Sequence, residues 1–142
     1  MGNTEKNGAG RLRILVLDDE PIVCKRLKPA FETMGYEVET FTDSGEALGR
    51  LQEKIFDIVI TDLKMEGADG IQVLMGAKAS CAATRVIVIT GFATRETARE
   101  SHLKGAVEFI AKPFKISDIT ACVKRIEGEI NQHRDQWPST AQ

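Results

Sequence analysis

The stretch at residues 13–23, RILVLDDEPIV, decides the fold of this chain. Its first five residues form a short apolar run, which is typical of a strand buried on both faces of a parallel sheet. Three acids follow directly, and the proline after them suits the first turn of a helix. A strand that passes through an acidic turn into a helix predicts one unit of an alternating α/β fold.

The same alternation continues along the rest of the chain. Strand patterns occupy residues 37–41, 56–61, 85–90 and 107–111, and helix patterns occupy residues 21–34, 43–53, 69–79, 94–104 and 116–130. Gly35 suits the C-terminal cap of the first helix, and Ser117 is the predicted N-cap of the last. Five strands and five helices in strict alternation predict a parallel sheet with helices on both faces.

The bulk composition describes one ordinary globular domain. The chain has 142 residues, of which 42% are hydrophobic and 28% are charged, and this balance argues against disorder. The net charge of -2 favours neither nucleic acid nor an anionic membrane, so we expect no direct binding to either. No apolar stretch approaches the roughly 20 residues that a bilayer span needs.

The two ends and the cysteines complete this picture. Polar ends predict a flexible leader at residues 1–11, a folded domain at residues 12–131, and a polar tail or linker stub at residues 132–142. Cys24, Cys81 and Cys122 are far apart and each lies inside an apolar pattern, which is neither a disulfide framework nor a zinc spacing. Core thiols in a reducing compartment are the simplest interpretation, and we expect a cytoplasmic protein.

Chemically active side chains follow four of the predicted strands. They are Asp18 and Asp19 after the first, Asp62 after the third, Thr90 as the last residue of the fourth, and Lys112 after the fifth. The carboxyl ends of parallel strands meet at one edge of a sheet, so these side chains should lie together. Three close carboxylates need a cation, and oxygen ligands of this kind suit Mg²⁺. Asp62 would then act as a nucleophile, as carboxylates do in aspartyl-phosphate chemistry, with Lys112 and Thr90 binding the phosphoryl group.

Four motifs now resemble one family, the response-regulator receiver domain, which is the phospho-accepting half of a two-component signalling pair. They are VLDDE at residues 16–20, IVITDLKMEGADG at 58–70, VIVITG at 86–91 and FIAKPF at 109–114. The resemblance covers roughly residues 11 to 131. It implies a flavodoxin-like (βα)5 fold, a doubly wound five-stranded parallel sheet with strand order 2-1-3-4-5.

The resemblance also implies roles for individual residues. Asp62 would be the aspartate phosphorylated from a histidine of a partner kinase. The implied Mg²⁺ ligands are Asp19, Asp62 and the backbone carbonyl of Lys64, with Asp18 helping through a bridging water. Thr90 and Lys112 would bind the phosphoryl oxygens, and the peptide bond that precedes Pro113 would be cis.

Some positions tune or depart from the family pattern. Phe109 matches an aromatic position that, together with Thr90, switches on activation, although many members have Tyr there. Lys64 and Phe92 stand at positions that tune the acyl-phosphate lifetime, and the bulk of Phe92 predicts slow self-dephosphorylation. Glu66 replaces a proline that is usual in the loop after the phosphoacceptor, which predicts a looser loop.

The helix pattern at residues 94–104 has few apolar anchors. Only Ala98 and Leu103 are firm candidates, so we expect a low local opening energy. In the resembled family this helix, with the strand and helix that follow, forms the output face. The implied partners are a histidine kinase or phosphotransfer protein, and a downstream effector protein or a missing output domain. A second copy of the chain in a homodimer is a further option that the resemblance leaves open.

Two alternatives remain open beside the signalling switch. The resemblance implies no enzyme with a separate substrate, only self-catalysed phosphotransfer and autodephosphorylation. A phosphorylation-independent docking module on the same fold would predict that the acids are lost. A phosphotransferase of the haloacid-dehalogenase kind would need an acid two residues after the nucleophile, where Lys64 stands.

Overall fold

Strands and helices alternate along the whole of the chain that the computed structural model describes, which is residues 11–63 and 70–136. The elements are β1 (Arg13–Leu17), α1 (Pro21–Thr33), β2 (Glu37–Phe41), α2 (Ser44–Glu53), β3 (Ile58–Asp62), α3 (Gly70–Ser80), β4 (Arg85–Thr90), α4 (Arg95–Leu103), β5 (Ala106–Ala111) and α5 (Ile116–Gln136). The strands form one parallel sheet in the order β2-β1-β3-β4-β5. The predicted doubly wound, flavodoxin-like fold is therefore confirmed.

Strand β1 explains why its sequence reads as an unbroken apolar run. Successive side chains of a strand point to opposite faces of the sheet. Ile14 and Val16 belong to the core under α1 and α5, whereas Leu15 and Leu17 belong to the core under α2 and α3. All four are fully buried, so both faces of the strand need apolar residues.

The three cysteines are free thiols, as the sequence predicted. Cys24 and Cys122 are buried in the core, but Cys81 is only half-buried beyond the end of α3. No helix within the described residues combines the length and the apolar character that crossing a membrane requires.

Helix α4 is held more weakly than its sequence suggested. Its one fully buried described residue is Ser101, Ala98 is half-buried, and Leu103 is 71% exposed. The prediction that Leu103 anchors the helix is wrong, because positions five residues apart differ by about 140° around an α-helix and cannot both face the core. A reciprocal capping box between Thr94 and Thr97 supports the first turn instead.

At the helix ends, Gly35 and Asp43 lie where their residue types favour caps, whereas both ends of α5 differ from the sequence pattern. Gly35 follows α1 with a φ of 92°, and the Asp43 carboxylate accepts the N–H of Glu46 at 2.9 Å as the N-cap of α2. Ser117 is not an N-cap, because α5 already begins at Ile116 and the Asp118 carboxylate accepts the N–H of the preceding Lys115. Helix α5 also continues to Gln136, beyond the helix pattern that the sequence displays.

Helix α3 begins in direct contact with the end of β3. The N–H of Gly70 donates to the carbonyl oxygen of Leu63 at 2.9 Å. A Cβ atom at this position would meet the backbone carbonyl oxygen of Asp62 and the backbone of Leu63. Backbone atoms cannot rotate away as a side chain can, so this close approach needs glycine.

Replacing Gly70 with alanine should destabilise the protein by about 1–3 kcal/mol, because the new methyl group forces the backbone of β3 to move. Urea unfolding followed by far-UV circular dichroism measures the change. Gly128→Ala is the matched control, since nothing lies within 4 Å of a Cβ atom there. An open position inside a helix should gain about 0.5–1 kcal/mol from the same substitution. Equal effects of the two substitutions would contradict the proposed contact.

Candidate functional site

The register of the sheet brings the predicted strand-end residues to one edge. Leu17 of β1 lies level with Thr61 of β3, so the next residues, Asp18 and Asp62, leave the two central strands side by side. On the other side of β3, Asp62 lies level with Ile89 of β4. Thr90 follows Ile89 and lies level with Ala111, after which the chain reaches Lys112.

Three aspartates form a cluster at this edge. Asp18, Asp19 and Asp62 each offer a carboxylate oxygen, and these oxygens lie within 4.8 Å of one another. Asp18 is fully buried, Asp62 is 5% exposed, and Asp19 is exposed. Burial raises the pKa of Asp18, although the Lys112 ammonium and the N–H of Glu20 act in the opposite direction.

Lys112 supplies the positive charge that holds the cluster together. Its Nζ atom lies 2.8 Å from Asp18 Oδ2, 2.9 Å from Asp62 Oδ2 and 2.8 Å from Glu20 Oε1. Burial opposes the charged ammonium, but the three carboxylates outweigh it and raise the pKa of Lys112. The backbone N–H of Lys112 donates to the Thr90 carbonyl at 2.8 Å, and the peptide bond to Pro113 is cis, as the resemblance implied.

Sequence reasoning gave no role to Glu20, which the structure places in the same cluster. It is the N-cap residue of α1, but its side chain makes no cap hydrogen bond and reaches Lys112 instead. The hydrogen bond from Lys112 lowers the pKa of Glu20. The one indication of this role in the sequence is that Glu20 is the third acid of the run after β1. Its side chain makes no capping hydrogen bond in α1.

An open hollow lies beside the cluster. It is lined by Asp19, Glu20, Asp62, Gly91, Phe92 and Lys112. The Phe92 side chain is 62% exposed at this hollow, and its backbone N–H donates to Thr90 Oγ1 at 3.0 Å. A ligand bound to Asp62 would therefore lie between an aromatic ring and the Lys112 ammonium.

Of the remaining predicted residues, two do not line this hollow and two lie outside the described residues. Thr90 is fully buried and does not line it. Phe109 is half-buried, packs against the core under α2 and α3, and lines a separate groove between β5 and α5. Lys64, with its backbone carbonyl, and Glu66 lie outside the described residues.

The donor set fits a hard metal ion. Within the described residues, the buried Oδ2 atom of Asp18 has no well-directed hydrogen bond, although the Lys112 ammonium is close. A buried carboxylate oxygen without such a bond is costly unless a charge compensates it. Carboxylate oxygens are the ligands that hard divalent cations prefer. The aspartate cluster could therefore bind a metal ion.

Comparison of the sequence with known proteins finds clear relatives. A family model described as the response regulator receiver domain matches residues 14–124. The transcriptional regulatory protein ZraR of Salmonella typhimurium is 30% identical over 132 residues, which cover 93% of this chain and 30% of ZraR. The chain spans less than a third of the length of the curated relatives that it matches.

Solved structures have the same fold. A CheY-like response regulator receiver domain protein from Methanospirillum hungatei superposes with a TM-score of 0.83 at 28% identity, covering 87% of this chain and 99% of that protein. A response regulator protein from Burkholderia pseudomallei, solved with a phosphorylated aspartic acid, a calcium ion and citrate, superposes with a TM-score of 0.74 at 25% identity. That comparison covers 87% of this chain and 72% of the other.

Proposed function

The chain belongs to the response regulator receiver domain family, and from this premise we propose that Asp62 accepts a phosphoryl group in a Mg²⁺-dependent signalling step. The observation that carries the proposal is the position of Asp62 at the hollow, between two further aspartates and the Lys112 ammonium. A related protein, the Burkholderia pseudomallei response regulator, carries a phosphorylated aspartic acid. The folded domain at residues 12–131 would be the receiver domain.

The proposed reaction is a phosphoryl transfer to a carboxylate. An oxygen of Asp62 attacks the phosphorus atom of a phosphohistidine on a histidine kinase or phosphotransfer protein. A P–O bond forms, the P–N bond breaks, and its electron pair stays on the imidazole. Apart from the phosphorylated partner, the reaction uses no further substrate. Water later hydrolyses the acyl phosphate.

Three aspartates would hold the metal for this step. The proposed direct ligands are the carboxylates of Asp19 and Asp62 and the backbone carbonyl of Lys64. Asp18 would contact the metal through a bridging water. A bound Mg²⁺ offsets the repulsion between a carboxylate and an anionic phosphoryl group.

Lys112 and Thr90 would bind the oxygens of the transferred group. The Lys112 ammonium already touches Asp62, so an added phosphoryl group would lie within its reach. The Thr90 hydroxyl accepts the N–H of Phe92, and this bond leaves the hydroxyl proton available to donate.

A chain of hydrogen bonds connects this site to α4. The N–H of Phe92 donates to Thr90 Oγ1 at 3.0 Å, and the carbonyl of Phe92 accepts from Thr97 Oγ1 at 3.1 Å. Thr97 also belongs to the capping box of α4. If Thr90 turns toward a phosphoryl oxygen, the support of a weakly anchored helix changes. We infer that this is how phosphorylation reaches the face formed by α4, β5 and α5, where Phe109 would act as the switch residue.

The partners follow from this mechanism. A histidine kinase or phosphotransfer protein would donate the phosphoryl group to this chain in the cytoplasm. The face formed by α4, β5 and α5 would be read by an effector protein, an output domain or a second copy of the chain. The related ZraR is a transcriptional regulatory protein, but a net charge of -2 supports no nucleic-acid binding by this chain itself.

The first test is the mass of the intact protein after incubation with acetyl phosphate, with and without Mg²⁺. We expect one added phosphoryl group that requires Mg²⁺ and that is lost in Asp62→Asn, because the amide is a poor nucleophile. Asp57→Asn is the matched control, since Asp57 lies just before the other end of β3, where its carboxylate pairs with Arg13. A variant of Asp62 that still gains the group would refute the assignment. A wild-type chain that binds Mg²⁺ but takes no phosphoryl group, even from a kinase, would favour the docking module.

The second test concerns Phe92, an exposed residue that lines the hollow. We expect a phosphorylated form that lasts for minutes or longer, because the ring restricts the access of water to the phosphorus atom. Phe92→Ala should shorten the lifetime severalfold, as measured by loss of the phosphoryl mass after removal of the donor. A wild-type half-life of seconds, or an unchanged lifetime in the variant, would exclude shielding by this ring.

The third test follows α4 by amide hydrogen exchange. Phosphorylation should change the exchange of residues 93–115, because a coupling of about 1–3 kcal/mol is enough to shift a two-state element. The amides of residues 14–17 in β1 serve as the internal control and should not change, since these residues are fully buried. Unchanged exchange throughout residues 93–115 would remove the basis for the proposed switch.

A further inference from the structure

The Lys112 ammonium has three carboxylate neighbours in this structure. Nζ of Lys112 lies 2.8–2.9 Å from carboxylate oxygens of Asp18, Glu20 and Asp62. The oxygens of Glu20 and Asp62 accept hydrogen bonds, and that of Asp18 is a close ion-pair contact without a well-directed hydrogen bond. An ammonium group has three N–H donors, so a further oxygen would have to share them with these three. A phosphoryl oxygen that binds Lys112 needs one of these donors. When a phosphodonor approaches, while Asp62 is still a carboxylate, one of these three contacts must therefore weaken or break.

The exposure of the three side chains decides which contact breaks most easily. The side chain of Asp18 is 0% exposed, that of Asp62 is 7% exposed, and that of Glu20 is 58% exposed. A buried carboxylate that loses its cation remains uncompensated, whereas an exposed one is solvated again by water. Asp18 is also fixed by the N–H of Glu20, which donates to Asp18 Oδ1 at 2.9 Å. Glu20 is the contact that breaks at least cost.

The position of Glu20 supports a movable side chain. Within the described residues, Lys112 is the one partner of the Glu20 carboxylate. The Glu20 side chain makes no cap hydrogen bond to α1. Glu20 and Lys112 line both the hollow and a neighbouring groove that includes Val23, Pro113 and Phe114. The Glu20–Lys112 pair is therefore part of the wall of both depressions.

We propose that Glu20 is an internal competitor for Lys112, whose carboxylate occupies the place on the ammonium that a phosphoryl oxygen takes. The inference rests on the proposed phosphorylation of Asp62 and adds a residue that regulates it. While Glu20 is bound, Lys112 is withheld from the incoming group and transfer from small phosphodonors is slow. Release of Glu20 frees Lys112 and joins the hollow to the neighbouring groove. Glu20 is thus a positioning residue that acts through Lys112.

The test compares rates of phosphorylation by acetyl phosphate at saturating Mg²⁺, followed by the mass of the intact protein. Glu20→Gln should react about two- to fivefold faster, which is the range that a partly exposed ion pair is worth. Glu20→Asp keeps the charge but shortens the side chain by one carbon, so it should lose the contact and react faster as well. Glu32→Gln removes the same charge from the other end of α1, where Glu32 pairs with Lys28, and should leave the rate unchanged.

The outcomes separate the competitor from other roles. Faster reaction of both Glu20 variants supports the proposal, because a residue that only stabilised the fold would not slow the reaction. If Glu20→Asp stays at the wild-type rate while Glu20→Gln is faster, the effect is one of net charge and the proposal fails. Slower reaction of Glu20→Gln with weaker Mg²⁺ binding by calorimetry would make Glu20 a metal ligand and would also overturn it.

The same experiment distinguishes this inference from the proposed function. A wild-type chain that gains no phosphoryl group contradicts the proposed function, and the competitor role fails with it. A wild-type chain that is phosphorylated normally, with Glu20 variants that react at the same rate, contradicts the competitor role alone. Thermal unfolding of each variant by circular dichroism excludes a folding defect as the cause of a changed rate.

Discussion

One ammonium group keeps a set of buried acids compatible with a folded sheet. Asp18 and Asp62 end the two central strands, where water is largely excluded, and Lys112 reaches them from beyond the edge strand β5. A buried carboxylate without its cation costs about 3–5 kcal/mol, a large part of the stability of a small domain. The contact therefore ties the position of β5 to that of β1, although β3 and β4 lie between them.

The well-packed parts of the molecule and the proposed responding part are different. The sheet and the helices α1, α2, α3 and α5 enclose two well-filled cores, whereas α4 rests on its capping box and on one buried serine. The weakest helix is also the one that hydrogen bonds connect to the site, through Thr90, Phe92 and Thr97. Elements that change state need a low opening energy, so the proposed switch at α4 would not require the cores to weaken.

Much of this structure could be predicted from the sequence, because its main signals are local. The apolar run of β1 and the strand pattern of β4 gave the bounds that the structure has, and the acids after β1 and β3 indicated an edge site. The strand order came from the resemblance to a family rather than from periodicity. The exposure of Leu103 is not evident from residue type, because an apolar residue late in a helix anchors it only if its angle around the axis faces the core. Glu20 was missed because its partner is 92 positions away, and no local pattern reveals how far a side chain reaches.

The two-sided burial of β1 has a consequence for how this chain tolerates changes in length. Because alternate residues of the strand supply separate cores, inserting or deleting a single residue would send every following side chain to the wrong side of the sheet. The same shift would carry Asp18 away from the level of Asp62. Length changes in β1 are therefore expected to disrupt folding and the proposed chemistry at once. The length of β1 therefore fixes both the packing of the two cores and the position of Asp18 beside Asp62.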